Sequence, residues 1–213
     1  MKKIISNLII LILLIVVSMS VTLSTIGIET NRFNNLISKK IYQTNNNINL
    51  KFTTIKFKLD IKEISLFLET INPQINYKDI VVPAKNIKVY VDFVSLIKSE
   101  PKIKKINLTL NQLDIKKLKK ISATLKPSNL TSFINNKIMQ GKLDTELEVY
   151  LDNKNLFSNF IARGSVSSLK TELIDDINLH EVNFSFFADK TDVLIQSFSG
   201  ETDFLKIKDG DLK

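Results

Sequence analysis

One histidine, His180, and no cysteine limit the chemistry that 213 residues can perform. Zinc–thiolate sites, iron–sulfur clusters, redox pairs and disulfides all need a sulfur that the chain does not have. Two histidines cannot meet at a metal within one chain, and with five glycines no Gly-rich phosphate cradle can be written. Glu146/Glu148 and Asp175-Asp176 have the residue types for paired-carboxylate acid–base work. Glu146 and Glu148, however, fall on the polar side of an alternating strand pattern, which assigns them to solvent, and the aspartates read as loop. His180 has no nucleophile at a motif spacing and reads as a surface or strand-edge residue. No catalytic residue, metal ligand or cofactor is expected, and the chain is read as a non-enzyme.

The formal charge of +8 comes from 28 Lys against two Arg, Arg32 and Arg163. Base-edge readout and bidentate phosphate clamping favour the planar guanidinium, so the balance argues against nucleic acid as a partner. The densest basic run is Lys98, Lys102, Lys104, Lys105, Lys116, Lys117, Lys119 and Lys120. It reads as a solvated face, with anionic headgroups as the alternative.

No charge interrupts Ile4 to Ile28. A helix of that length would be about 37 Å long, more than the roughly 30 Å of a hydrocarbon core. Lys2, Lys3 and the apolar Ile9–Val17 would also suit a cleaved signal peptide, but Ser18-Met19-Ser20-Val21-Thr22 offers no small-x-small cleavage site. An uncleaved anchor over residues 1–28 is therefore expected. The absence of cysteine excludes a lipobox. Lysines at both flanks compete under the positive-inside rule, and a short cytoplasmic stub with a translocated body is the simpler arrangement. That places the expected body outside the membrane, periplasmic in a bacterium with two membranes.

The elements after the anchor are mostly strands. Phe33, Leu36, Ile37 and Ile41 lie at helical spacing, which predicts a juxtamembrane amphipathic helix within 29–46. From residue 47 to 213 the period is two. Ile87, Val89, Val91 and Phe93 alternate with polar neighbours, as do Ile106, Leu108 and Leu110. Leu143, Thr145, Leu147, Val149 and Leu151 do so most cleanly, against Lys142, Asp144, Glu146, Glu148, Tyr150 and Asp152. Ile48, Leu50 and Phe52 are out of phase with Ile55, Phe57, Leu59 and Ile61, which predicts a bulge or bend near Thr53-Thr54 that restores one common face. Further strands are expected around 160–166, 169–173, 182–186, 193–198 and 204–207. Helix is expected at 93–99 and between Lys116 and Ile138, where Ser128 is a candidate cap. Three Asn-x-Ser/Thr triplets, Asn183-Phe184-Ser185 among them, read as chance in an Asn-rich chain.

About 10 strands at roughly 4.8 Å spacing make a sheet near 50 Å wide, and each helix is only about 10 Å across. The few short helices would shield at most about half of its apolar face. Such a sheet closes on itself as a sandwich or barrel, or leaves an open apolar groove of the kind that marks a binding site. Periodicity leaves both open.

Val89-Tyr90-Val91-Asp92-Phe93-Val94-Ser95-Leu96-Ile97-Lys98-Ser99, leading into Lys102-Ile103-Lys104-Lys105-Ile106-Asn107-Leu108, resembles the AsmA-like family, which is related to chorein-type lipid bridges. The order of anchor, short helix, strands, Ser-Leu segment and Ile103–Leu110 is similar over roughly residues 1–115. The resemblance implies a mainly β fold with a few short helices. A transmembrane helix would lead into a curved, largely antiparallel sheet with an apolar concave face. It further implies a bacterial inner-membrane, single-pass protein with its bulk in the periplasm, binding phospholipid and serving lipid transport or outer-membrane homeostasis. Family members are commonly longer, and Lys206–Lys213 reads as a turn entering another strand. The domain is therefore expected to be incomplete, or completed by a partner.

The inward candidates for a lipid groove are Phe52, Phe57, Leu59, Ile87, Val89, Val91, Ile106, Leu108, Leu110, Leu143, Leu147, Val149, Phe184 and Phe186. For each, an ordinary core position under a helix is the competing reading. The competing function is a membrane-anchored scaffolding module of the cell envelope that binds a protein and no lipid.

Overall fold

The computed structural model describes residues 2–31, 34, 38, 39, 42, 47–63, 65–92, 95, 102–124, 126–152, 157–174 and 177–212. Helix α1 (Lys2–Thr25) is apolar all round and exposed on every side but its last turns. Within its 23 residues from Lys3 to Thr25 an 18-residue window has a mean hydropathy of 2.8, enough by length and composition for one membrane span; a signal sequence has the same character. The helix stops three residues short of the expected Ile28. Gly27 turns the chain with φ +75° where a side chain would collide with Lys58 Cγ and the Phe57 carbonyl. Ile28 is already extended in β1 (Ile28–Thr30), opposite Phe57.

The remaining chain is mainly strand. In order come β2 (Ile48–Lys51), β3 (Ile55–Asp60), β4 (Ser65–Ile71), β5 (Gln74–Tyr77), β6 (Ile80–Val82), β7 (Ala84–Val91) and β8 (Ile103–Asp114). Two short helices follow, α2 (Ile115–Ser122) and α3 (Asn129–Asn136). Then come β9 (Ile138–Leu151), β10 (Phe157–Ile174), β11 (Ile177–Asp189), β12 (Val193–Glu201) and β13 (Lys206–Leu212). Ten strands form one curved antiparallel sheet in the order β1-β3-β4-β7-β8-β9-β10-β11-β12-β13, and β2-β5-β6 form a second, small sheet.

Two sequence expectations are corrected here. The chain bends at Thr53, as one of the two expected alternatives had it, but the bend restores no common face: the chain leaves one sheet for the other, so Leu50 and Ile55 are both buried although they belong to different sheets. The strands expected at 160–166 and 169–173 are one strand, β10, bent at Ser168. The expected helices at 29–46 and 93–99 fall largely outside the described residues, as do Asp175 and Asp176. The stretch from Lys116 to Ile138 splits into α2 and α3, with Ser128 as the α3 cap in a capping box with Thr131, and Ile138 opens β9.

A row of bulges bends the sheet. Gln112, Ser168, Glu181, Ser197 and Asp209 have φ between 40° and 55°, each where the register of its strand shifts. Each inserted residue lets two side chains three apart share a face: Leu110 with Leu113, Val166 with Leu169, Leu179 with Val182, Ile195 with Phe198. The N–H groups that two bulges withdraw from the ladder find side-chain acceptors on the next strand. Asp144 Oδ1 accepts from Gln112 N at 2.8 Å, and Asn183 Oδ1 from Ser168 N at 3.0 Å. Asn183 Nδ2 also donates to the Glu181 carbonyl, so the residue of the Asn183-Phe184-Ser185 triplet ties two bulges together.

A candidate apolar binding face

Antiparallel register places directly opposed residues on the same side, so the face can be followed strand by strand. One row runs Ile28, Phe57, Leu68, Val89, Ile106, Val149, Phe160. The next runs Thr30, Ile55, Thr70, Ile87, Leu108, Leu147, Ala162, Ala188, Val193. A third runs Leu110, Thr145, Gly164, Phe186, Ile195, Leu212. Apolar positions thus continue across the sheet from β1, beside the apolar helix, to β13, interrupted by Thr30, Thr70, Thr145 and Gly164.

Two covers lie on this face, both toward the end of the sheet formed by the start of β7 and the close of β8. The small sheet presses Leu50 and Ile75 onto Ile87, with Phe52, Val82, Ala84, Val89, Ile106 and Leu108 around them. The α2–α3 hairpin brings Ile115, Leu118 and Ile134 against Ile138, Leu169, Leu179 and Val182, with Val166, Phe184 and Phe198 at the margin. The covers meet where Lys78 Nζ donates to the Thr124 carbonyl at 3.2 Å.

Of the fourteen inward candidates, Ile87 and Val91 are buried and the other twelve are half-buried. Thirteen lie on the strands as expected; Phe52 sits in the link between β2 and β3 and packs into the small-sheet core. Phe184 reaches the α2–α3 core, where it stacks with Phe198 at 6.3 Å between ring centres. The structure adds Leu68, Phe160, Ala162, Ala188 and Ile195 to the same face. Leu68 was missed because β4 reads Leu66, Phe67, Leu68, Glu69, Thr70, Ile71, with apolar residues in both phases. The alanines carry too little side chain to register in a hydrophobic pattern.

The polar face is closed in part, over β4, β7, β8 and β9. Lys105 is 7% exposed and Glu148 7%, which overturns the solvent role expected for Glu148. No element has to cover them, because long side chains lie flat and satisfy one another. Lys105 Nζ is 2.6 Å from Glu63 Oε1, 4.0 Å from Glu148 Oε2 and 4.3 Å from the centre of the Tyr90 ring. Arg163 pairs with both Glu148 and Glu146. Glu69 holds Lys58 at 2.8 Å and Lys88 at 3.9 Å. Burial first, then the carboxylates of Asp60 and Glu63, push the Tyr90 phenol well above its ordinary value. The hydrogen bond to Glu148, then burial, push Tyr150 up to about 12.

These groups build an ion network across the polar face. Of the basic run, Lys102, Lys104, Lys116, Lys117 and Lys120 are exposed as the sequence implied, Lys119 is half-buried and Lys105 is buried, while Lys98 lies outside the described residues. His180 is half-buried, its Nε2 3.9 Å from Asp203. Among the described residues no group of three or more His, Asp or Glu side chains is placed to hold a metal. A cavity of about 360 Å³ between Glu181, Asn183, Ser199, Glu201, Lys206 and Asp209, and one of about 210 Å³ between Glu29, Thr53, Lys56 and Glu69, are lined chiefly by polar side chains. The chain matches no family model and no curated protein.

Proposed function

We propose that this protein is a single-pass, membrane-anchored lipid-binding protein whose ten-stranded sheet takes acyl chains along its apolar face and so contributes to lipid transport or homeostasis in a bacterial envelope. The reading places α1 in the inner membrane and the sheet in the periplasm, in keeping with the resemblance to the AsmA-like family. One observation carries it. Rows of apolar side chains cross the ten-stranded sheet, and among the described residues most of those away from the two covers stay half-buried. Water against such a face is costly, and an acyl chain gains about 0.8 kcal/mol for each CH₂ it buries. A row of Leu, Val, Ile and Ala offers no directional contact, so a chain can slide while its headgroup remains wet.

The test places a photoreactive residue at Leu147 or Phe186 of the full chain in cells. Capture of phospholipid at both supports the proposal. Capture of a protein in place of lipid would overturn it in favour of an envelope scaffold. So would lipid-free purified protein combined with undiminished function of Leu147→Glu.

A further inference from the structure

Residues 115–142 hold seven lysines and no carboxylate, so this stretch carries charge equal to all but one of the chain's net +8. Residues 30–59 also lack a carboxylate and hold six basic residues, but there Lys56 and Lys58 are paired with Glu29 and Glu69 from neighbouring strands. The carboxylates at either flank are committed: Asp114 caps α2 by accepting from Lys116 N at 2.7 Å, and Asp144 accepts from Gln112 N. Helix α2 turns Ile115, Leu118 and Ser122 inward and Lys116, Lys117 and Lys120 fully outward. Among the described residues none of its lysines meets a carboxylate, whereas Lys137, after α3, is drawn to Glu172 at 3.0 Å. Lys126 is exposed in the link to α3, and Lys78 stands against the end of α2 through Thr124. Among the described residues Phe133 on α3, 41% exposed, is a large apolar side chain left uncovered on this hairpin.

We propose that the outer face of the α2–α3 hairpin docks on a bilayer surface rich in anionic headgroups. Charge complementarity selects an anionic partner, and two further features select lipid among anions. The charge is all lysine, a diffuse and strongly hydrated cation suited to a mobile headgroup layer rather than to bidentate readout. The cluster is also flanked by an isolated apolar side chain able to enter an interface, without the several aromatic platforms that single-stranded nucleic acid requires. The apolar helix α1 keeps the chain beside bilayers in any case. This docking does not depend on lipid entering the sheet.

The experiment holds the full chain by α1 in phosphatidylcholine nanodiscs and measures their capture by labelled vesicles. The vesicles are phosphatidylcholine alone or an equimolar mixture with phosphatidylglycerol. Capture by the anionic vesicles alone, falling with added salt, is expected. Lys116→Gln/Lys117→Gln/Lys120→Gln should weaken it on the order of 100-fold. Lys62→Gln/Lys102→Gln/Lys208→Gln, which removes the same charge from exposed positions elsewhere, should leave it within about threefold. Equal capture by neutral vesicles, or equal loss in the two triple variants, would overturn the proposal. Displacement of the vesicles by duplex DNA at matched phosphate concentration would overturn the assignment to lipid.

Discussion

The ammonium of Lys105 lies 4.3 Å from the centre of the Tyr90 ring, so a cation on β8 is covered by an aromatic ring on the neighbouring β7. The same ammonium reaches Glu63 in the β3–β4 turn and Glu148 on β9, which joins four strands at the open end of the sheet. Lys105→Met keeps the length of the side chain and removes the charge. It should destabilise the detergent-solubilised chain by about 2–3 kcal/mol, read from urea midpoints, because a buried Glu148 loses one of its two cations. The cost stays below that of a fully orphaned charge because Arg163 still pairs with Glu148. A change under about 0.5 kcal/mol would mean the network is solvated and contributes as little as ordinary surface pairs.

Tyr150 donates to Glu148 at 2.7 Å, and its phenol is raised from 10.0 to about 12. The unfolded chain releases this proton near pH 10 and the folded chain only near 12, so the contribution to stability is complete below pH 10 and is lost as pH climbs to 12. Stability measured across that window should fall less steeply in Tyr150→Phe than in the parent. Parallel curves for the two proteins would show that the hydrogen bond to Glu148 does not form in solution.

Alternation made β7, β8 and β9 legible because one face of each is aliphatic and the other charged or amide-bearing. The same rule failed at β4, where Phe67 is buried among polar-face side chains against Tyr90 and Lys88 and so imitates a core residue. It failed again at β1, three residues long and continuous in hydropathy with the helix before it. The inward set could be read from period two. Its half-open state could not, because cover depends on where α2, α3 and the small sheet settle, which is decided by contacts distant in sequence such as Ile115 with Val182 and Leu50 with Ile87. Burial of Lys105 and Glu148 was likewise invisible, since it arises from five strands placing their long side chains side by side.

Ser168 is held at φ +50° in β10, a conformation that costs a residue with a side chain about 1 kcal/mol. Ser168→Gly should therefore raise stability by up to about 1 kcal/mol, with the Asn183 acceptor left in place. Leu169→Ala does the reverse, because the bulge seats Leu169 in the core it shares with Ile115, Ile138 and Val182. A loss of about 2–5 kcal/mol, the scale of a large-to-small core substitution, is expected in the same urea titrations. A variant as stable as the parent would show that Leu169 does not pack into that core in solution.

Ala162 faces Leu147 on one side and Ala188 on the other, so the middle of the apolar face has a low floor between taller neighbours. Its backbone is regular and it is half-buried, which leaves room above it for a larger side chain. Ala162→Trp should therefore fold with the parent's melting temperature while filling the floor with a ring. If acyl chains pass along this face, photoreactive probes at Val149 on the near side and Phe186 on the far side should no longer capture lipid equally. Capture at the far probe should drop by about tenfold, the order expected when burial of two or so methylene groups is lost. Ala162→Ser, which changes size little, should capture lipid at both probes as the parent does. Equal capture at Phe186 in Ala162→Trp and the parent would mean that lipid reaches that position from solvent, and that the face does not act as a continuous path.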